Sequence, residues 1–129
     1  MNTPSRPADA LSGLKVLVVE DDYFIADETR RMLVATGAEV IGPVASVDAA
    51  LAKIAKSPVI DAAVLDVNLR DVMVFPVADE LAARGVPFVF ATGYDGAAIP
   101  VQHAHVVRCE KPVEPDTLTR ALRTRLDDC

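Results

Sequence analysis

Five charged residues stand behind apolar runs at three distant points of the sequence. Glu20, Asp21 and Asp22 follow Val16–Val19, Asp66 follows Ala62–Leu65, and Lys111, in Lys111-Pro112, comes shortly after Val106 and Val107. Parallel neighbouring strands would bring these groups to one edge of a sheet. Several carboxylates and an ammonium in one crevice suit a hard divalent cation and a phosphoryl group. Three consecutive acids repel one another unless they are solvated, protonated or bound to a cation. Helix capping is the competing explanation, and Asp22 is the expected cap. It accounts for one acid well and for three poorly.

The remaining candidates are read beside these. Asp66 ends an otherwise apolar strand, where a carboxylate serves as ligand, base or nucleophile, or simply opens a loop. Asn68 can face the same crevice or offer its backbone carbonyl. Thr92, before Gly93 and Tyr94, puts a hydroxyl at the end of another run. Lys111 either neutralises the acids or holds a phosphoryl oxygen. A cis bond to Pro112 would aim it into the crevice.

Bulk properties narrow the classes. The 129 residues are enough for one domain with a core. Hydrophobic residues make up 51% and charged ones 25%, which suits a globular chain. A net charge of −6 argues against a nucleic-acid surface. No segment is long and apolar enough for a membrane span, so no membrane partner is expected. Residues 1–13 hold Pro, Ser and Ala without an apolar stretch, and read as a flexible tail rather than a secretory signal. Cys109 and Cys129 are too few for a disulfide framework and lack metal-site spacing. A cytoplasmic location is the expectation.

The elements that must position the site follow from periodicity. Apolar runs at Val16–Val19, Glu39–Ile41, Ala62–Leu65, Phe88–Ala91 and Val106–Cys109 alternate with helical patterns, as in βαβ crossovers. Four are apolar almost throughout, as strands covered on both faces must be. The second is short and precedes Gly42-Pro43, which suits an edge. Ile25, Met32 and Leu33 mark a first helix stopping at Gly37. Val47, Ala50, Leu51 and Ile54 mark a second behind the cap candidate Ser46. A third, with Val77, Ala78 and Leu81, follows Pro76 and ends at Gly85. A last one carries Leu118, Ala121, Leu122 and Leu126 and starts near residues 114–116. The fourth connection, from Asp95 to Val101, is weak, because glycines flank or enter it and Pro100 interrupts it. Five βα units with right-handed crossovers place every singled-out polar group at a carboxyl end, where open sheets bind ligands.

The ordered set Val-Val-Glu-Asp-Asp, Val-Leu-Asp-Val-Asn-Leu, Ala-Thr-Gly and Lys-Pro resembles the receiver domains of two-component response regulators. The likeness covers residues 14–129. Pro87 to Tyr94 resembles, more narrowly, the motif of the FAT GUY single-domain regulators, found mainly in alphaproteobacteria and often beside HWE-type histidine kinases. The resemblance implies a flavodoxin-like (βα)5 fold, a doubly wound parallel sheet in the order 2-1-3-4-5. It implies that Asp66 accepts a phosphoryl group from a histidine kinase or phosphotransfer protein. Asp21 and Asp66 would bind Mg²⁺ directly, Glu20 mainly through water, and Asn68 through its backbone carbonyl. Thr92 would hydrogen-bond the phosphoryl group and Lys111 would pair with it. Such a chain is a signalling domain that phosphorylates itself rather than an enzyme acting on other substrates. Because the sequence stops after the fifth helix, it is expected to work alone, by docking to a downstream protein or by draining phosphoryl groups as a sink.

The sequence departs from the family pattern in places. Arg108 occupies the position, three before Lys111, where such receivers carry a switch aromatic; it is an electrostatic signal or a solvated rim charge. Tyr94 is a substitute mobile aromatic and a screen for the phosphoryl group, or an ordinary loop tyrosine. Arg70 replaces a common proline and Asp71 a common glycine, so an unusual loop is expected after Asp66. Two other readings compete. One is a degenerate receiver that only binds partners, which Arg108 favours and the intact Asp66, Thr92 and Lys111 disfavour. The other is a toprim-like Mg²⁺-dependent enzyme, disfavoured by Asn68 where that fold needs an aspartate.

Overall fold

The apolar runs form a five-stranded, all-parallel sheet in the computed structural model, which describes residues 10–93 and 99–127. Its strands are β1 (Lys15–Val19), β2 (Glu39–Val44), β3 (Ala62–Asp66), β6 (Phe88–Thr92) and β7 (Arg108–Glu110). Two short strands, β4 (Asn68–Leu69) and β5 (Val72–Met73), form a separate antiparallel hairpin after β3. The large sheet runs β2-β1-β3-β6-β7, which is the expected order 2-1-3-4-5 once the hairpin is set aside. This is the flavodoxin-like fold.

Every residue of β3 is buried, and so are Val16 to Val19 of β1, because helices cover both faces of the sheet. The period of two then sorts the side chains. Leu17, Val19, Ala63, Leu65, Phe88 and Phe90 face one core, with α2 (Val47–Lys56) and α3 (Phe75–Ala83). Val16, Val18, Ala62, Val64, Val89 and Ala91 face the other, with α1 (Tyr23–Ala35) and α4 (Pro115–Asp127). Fully burying a leucine such as Leu118 or Leu122 stabilises by about 2 kcal/mol, so a few such residues fix each helix.

Helix ends follow local chemistry. The Asp22 carboxylate accepts from Ile25 N at 3.0 Å and Ser46 Oγ from Ala49 N at 3.1 Å. Gly37 takes a φ of 89° just past α1, and Gly85 one of 71° past α3. No helix among the described residues is long and apolar enough to cross a membrane.

The structure also differs from the sequence reading. The second strand continues through Gly42 and Pro43 to Val44, with a register shift opposite Leu17–Val19 and a cis peptide before Pro43. The fifth strand begins at Arg108 rather than Val106. The fourth connection carries only a three-residue 3-10 turn, Val101–His103, among the described residues. Packing begins before Leu14: Leu11 is fully buried, and its N–H donates to Thr36 O at 2.9 Å.

Candidate functional site

Parallel pairing fixes the heights of the strand ends. Val19 lies level with Leu65 and Asp66 with Ala91, while Thr92 pairs with Glu110. The residue following β1, the last of β3 and the loop after β7 therefore come together at one edge. The Lys111 N–H donates to Thr92 O at 2.9 Å, carrying the β6–β7 pairing one step past the strand, and the Lys111-Pro112 bond is cis.

Lys111 Nζ sits 2.7 Å from Glu20 Oε1 and 3.1 Å from Asp66 Oδ2. Both acids are buried, at 6% and 5% exposure, so this contact is far less screened than a surface pair. Their other oxygens are satisfied locally: Asp22 N donates to Glu20 Oε2 at 3.1 Å, and Asn68 N to Asp66 Oδ1 at 3.3 Å. Glu20 N is anchored on Val44 O at 2.9 Å. The extension of β2 through Pro43 thus holds the acid in place.

Asp21 completes the cluster. One carboxylate oxygen from each of Glu20, Asp21 and Asp66 lies within 4.8 Å of the other two. Asp21 Oδ2 is 3.4 Å from Arg70 Nε. Arg70 and Asp71 form the turn of the β4–β5 hairpin with φ of 52° and 70°. Both central residues of this two-residue connection have positive φ, as the twist of a tight hairpin requires. Asn68 Oδ1 accepts from Asp71 N at 2.8 Å and pins the turn.

Electrostatics follow from burial. Glu20 is pushed up to about 7 from 4.5, first by burial and then by its hydrogen bond with Asp66, while Lys111 pulls the other way. For Lys111, burial acts downward, but the hydrogen bonds and charges of Glu20 and Asp66 outweigh it and hold the ammonium above its usual range. A largely apolar cavity of about 310 Å³, lined by residues such as Ile25, Met32, Val64 and Leu118, reaches Glu20, Asp66 and Lys111 between α1 and α4.

Of the sequence candidates, Glu20, Asp21, Asp66 and Lys111 converge, and the backbone of Thr92 joins them. Asp22 turns away to cap α1. Asn68 commits its side chain to the hairpin turn, which leaves its backbone carbonyl as the candidate ligand. Gly93 follows β6 and is half-buried; Arg108 is exposed on β7, and Tyr94 lies outside the described residues. The contact between Arg70 and Asp21 was not legible from spacing, since it joins residues far apart in the chain through the hairpin turn. Three hard oxygen donors this close, with one flanking ammonium, fit a magnesium-type ion.

An acid cluster thus faces a lysine across the carboxyl edge of an α/β domain with a 2-1-3-4-5 sheet. No family model and no curated protein matches the sequence. Solved structures do. The solution structure of SdrG from Sphingomonas melonis Fr1 is 38% identical, with a TM-score of 0.79 over 91% of this chain and 98% of that one. The BeF3-activated conformation of SdrG from Pseudomonas melonis Fr1 is also 38% identical, with a TM-score of 0.71 over 87% of this chain and 95% of that one. The receiver domain of the PhyR response regulator from Erythrobacter litoralis shares the fold, at 20% identity and a TM-score of 0.79 over 92% and 93% of the two chains. The chain belongs to the response regulator receiver domains.

Proposed function

We propose that the chain is a response regulator that takes a phosphoryl group from a phosphohistidine onto Asp66. The observation that carries this reading is Lys111 Nζ, 2.7 Å from Glu20 and 3.1 Å from Asp66, beside Asp21. An Asp66 carboxylate oxygen attacks phosphorus, the bond from phosphorus to the donor imidazole nitrogen breaks, and the imidazole leaves with that electron pair. Asp21, Asp66 and the backbone carbonyl of Asn68 would hold Mg²⁺, with Glu20 assisting, and the bound ion would supply positive charge that offsets the charge of the transferred phosphoryl group. Lys111 then exchanges its contact with the Asp66 carboxylate for one with the phosphoryl group, and the Thr92 hydroxyl donates to the same group.

Partner and output stay on the same footing. The donor is a histidine kinase, of HWE type by the motif at residues 87–94, or a phosphotransfer protein. The phosphorylated chain signals through a protein contact or serves as a sink. Arg108, exposed on β7, stands where such receivers carry a switch aromatic, and its charge faces solvent.

Incubation with acetyl phosphate and Mg²⁺, read by intact mass, tests the chemistry. One phosphoryl adduct is expected on the parent chain and none on Asp66→Asn or when EDTA is present. An adduct that survives Asp66→Asn would place the chemistry elsewhere.

A further inference from the structure

In the state described, each carboxylate of the acid cluster has a cationic partner from the chain itself. Lys111 serves Glu20 and Asp66, and Arg70 serves Asp21. The two cations differ in how they are held. The Lys111 side chain is 17% exposed and bridges two buried acids, so removing it would leave both unpaired. The Arg70 side chain is 83% exposed and makes one contact, at 3.4 Å, with an acid at the mouth of the cluster.

The backbone beneath Arg70 is better fixed than its side chain. Asn68 Oδ1 accepts from Asp71 N at 2.8 Å, and Val74 N donates to Val67 O at 2.9 Å, closing the hairpin over its two-residue turn. A φ of 52° at Arg70 is the left-handed conformation that disfavours a side chain other than glycine or asparagine. The turn therefore presents a long, solvated guanidinium from a pinned base beside Asp21.

We infer that Arg70 is a tethered counter-ion for Asp21 that must leave before Asp21 can ligate a divalent cation, so that this residue sets how tightly the site binds Mg²⁺. The inference rests on the phosphoacceptor reading above and adds a residue to it. Asp21 exchanges the guanidinium for the ion, while Lys111 stays on its acids. Charge decides the direction: a guanidinium on Asp21 opposes an incoming cation both by occupying an oxygen and by its field. An exposed pair of this kind is weak, so the exchange is readily reversible.

The test is Mg²⁺ titration of the full chain, followed by calorimetry and by the NMR signal of the Arg70 Nε–H group. Arg70→Ala is expected to bind Mg²⁺ about two- to five-fold more tightly than the parent, the range an exposed ion pair commands. In the parent, the Arg70 Nε–H signal should move as the ion saturates the site, and Asp21→Asn should move it before any ion is added. Arg84→Ala removes a guanidinium at the opposite sheet edge, where α3 ends, and should leave Mg²⁺ affinity unchanged. Equal affinity in Arg70→Ala and parent, an unmoved Arg70 signal at saturation, or the same tightening in Arg84→Ala overturns the inference and leaves the phosphoacceptor reading intact. Failure of the parent to bind Mg²⁺ at all overturns both.

Discussion

Glu20 is held where its charge is least welcome. Burial lifts its pKa to about 7 from 4.5, the hydrogen bond with Asp66 adds to the rise, and Lys111 offsets only part of it. A folded-state pKa above the ordinary value means that the protonated form stabilises the fold. That contribution is complete below about pH 4.5 and is lost as pH rises through about 7. Lys111 is also raised, so its contribution is present throughout this window and disappears only above the usual lysine range. With EDTA present, the parent should therefore lose on the order of 3 kcal/mol more than Glu20→Gln between pH 4.5 and pH 8. Urea unfolding of both chains across that range measures the difference. Parallel stability curves would assign the buried charge to some other group. Added Mg²⁺ should flatten the parent's curve, because an ion at the cluster favours the ionised acid.

Secondary-structure elements explain how that acid is aimed. Glu20 N bonds Val44 O, so the end of β2 must reach past Gly42-Pro43 to hold it. Gly42 makes this passage with a φ of 95°, and a Cβ there would lie 2.8 Å from Val44 N and 3.1 Å from Val18 O. Gly42→Ala combines a disfavoured backbone with contacts to atoms that cannot yield, and should cost about 1–3 kcal/mol of stability. A thermal melt matching the parent's would mean that the strand reroutes freely. Sequence reading stopped this strand at Ile41, because proline usually ends a ladder; on an edge strand its missing N–H is tolerated. The helix boundaries at Asp22, Ser46, Gly37 and Gly85 were legible because a cap is a local matter of one side chain and a few amides. The hairpin after β3 was legible only as an unusual loop, since Arg70 is not a turn former and the conformation depends on Asn68 and on pairing across four residues. Leu11 was missed for a similar reason. A single apolar residue among polar ones has no period, and only its contact partners reveal it as core. The convergence of Glu20, Asp21, Asp66 and Lys111, by contrast, was readable, because each stands at or just beyond the end of an apolar run and the parallel alignment of those runs follows from the crossovers.

Over the whole molecule, two pairs of helices cover two faces, yet the connection between β6 and β7 contributes no α-helix among the described residues. A histidine closes that gap. His103 is 3% exposed and lies against Phe75, Phe88 and Phe90, with ring centroids 6.4, 5.6 and 6.1 Å away. Its Nε2 is also 2.7 Å from Asp79 Oδ1 on α3. Two effects could hold this connection to the fold, and their sizes differ. Asp79 is 57% exposed, so the polar contact is solvent-screened and worth less than about 1 kcal/mol. The imidazole fills a space between three aromatic rings, and emptying it should cost about 2–4 kcal/mol. His103→Ala should accordingly lower the urea midpoint several times more than Asp79→Ala, and the double variant should resemble His103→Ala alone. If Asp79→Ala proves as damaging as His103→Ala, the polar contact rather than the aromatic packing is what secures the segment between β6 and β7. The ring packing matters beyond stability, because Thr92 and Lys111 sit at the ends of those two strands. An aromatic anchor beneath β6 keeps their spacing fixed.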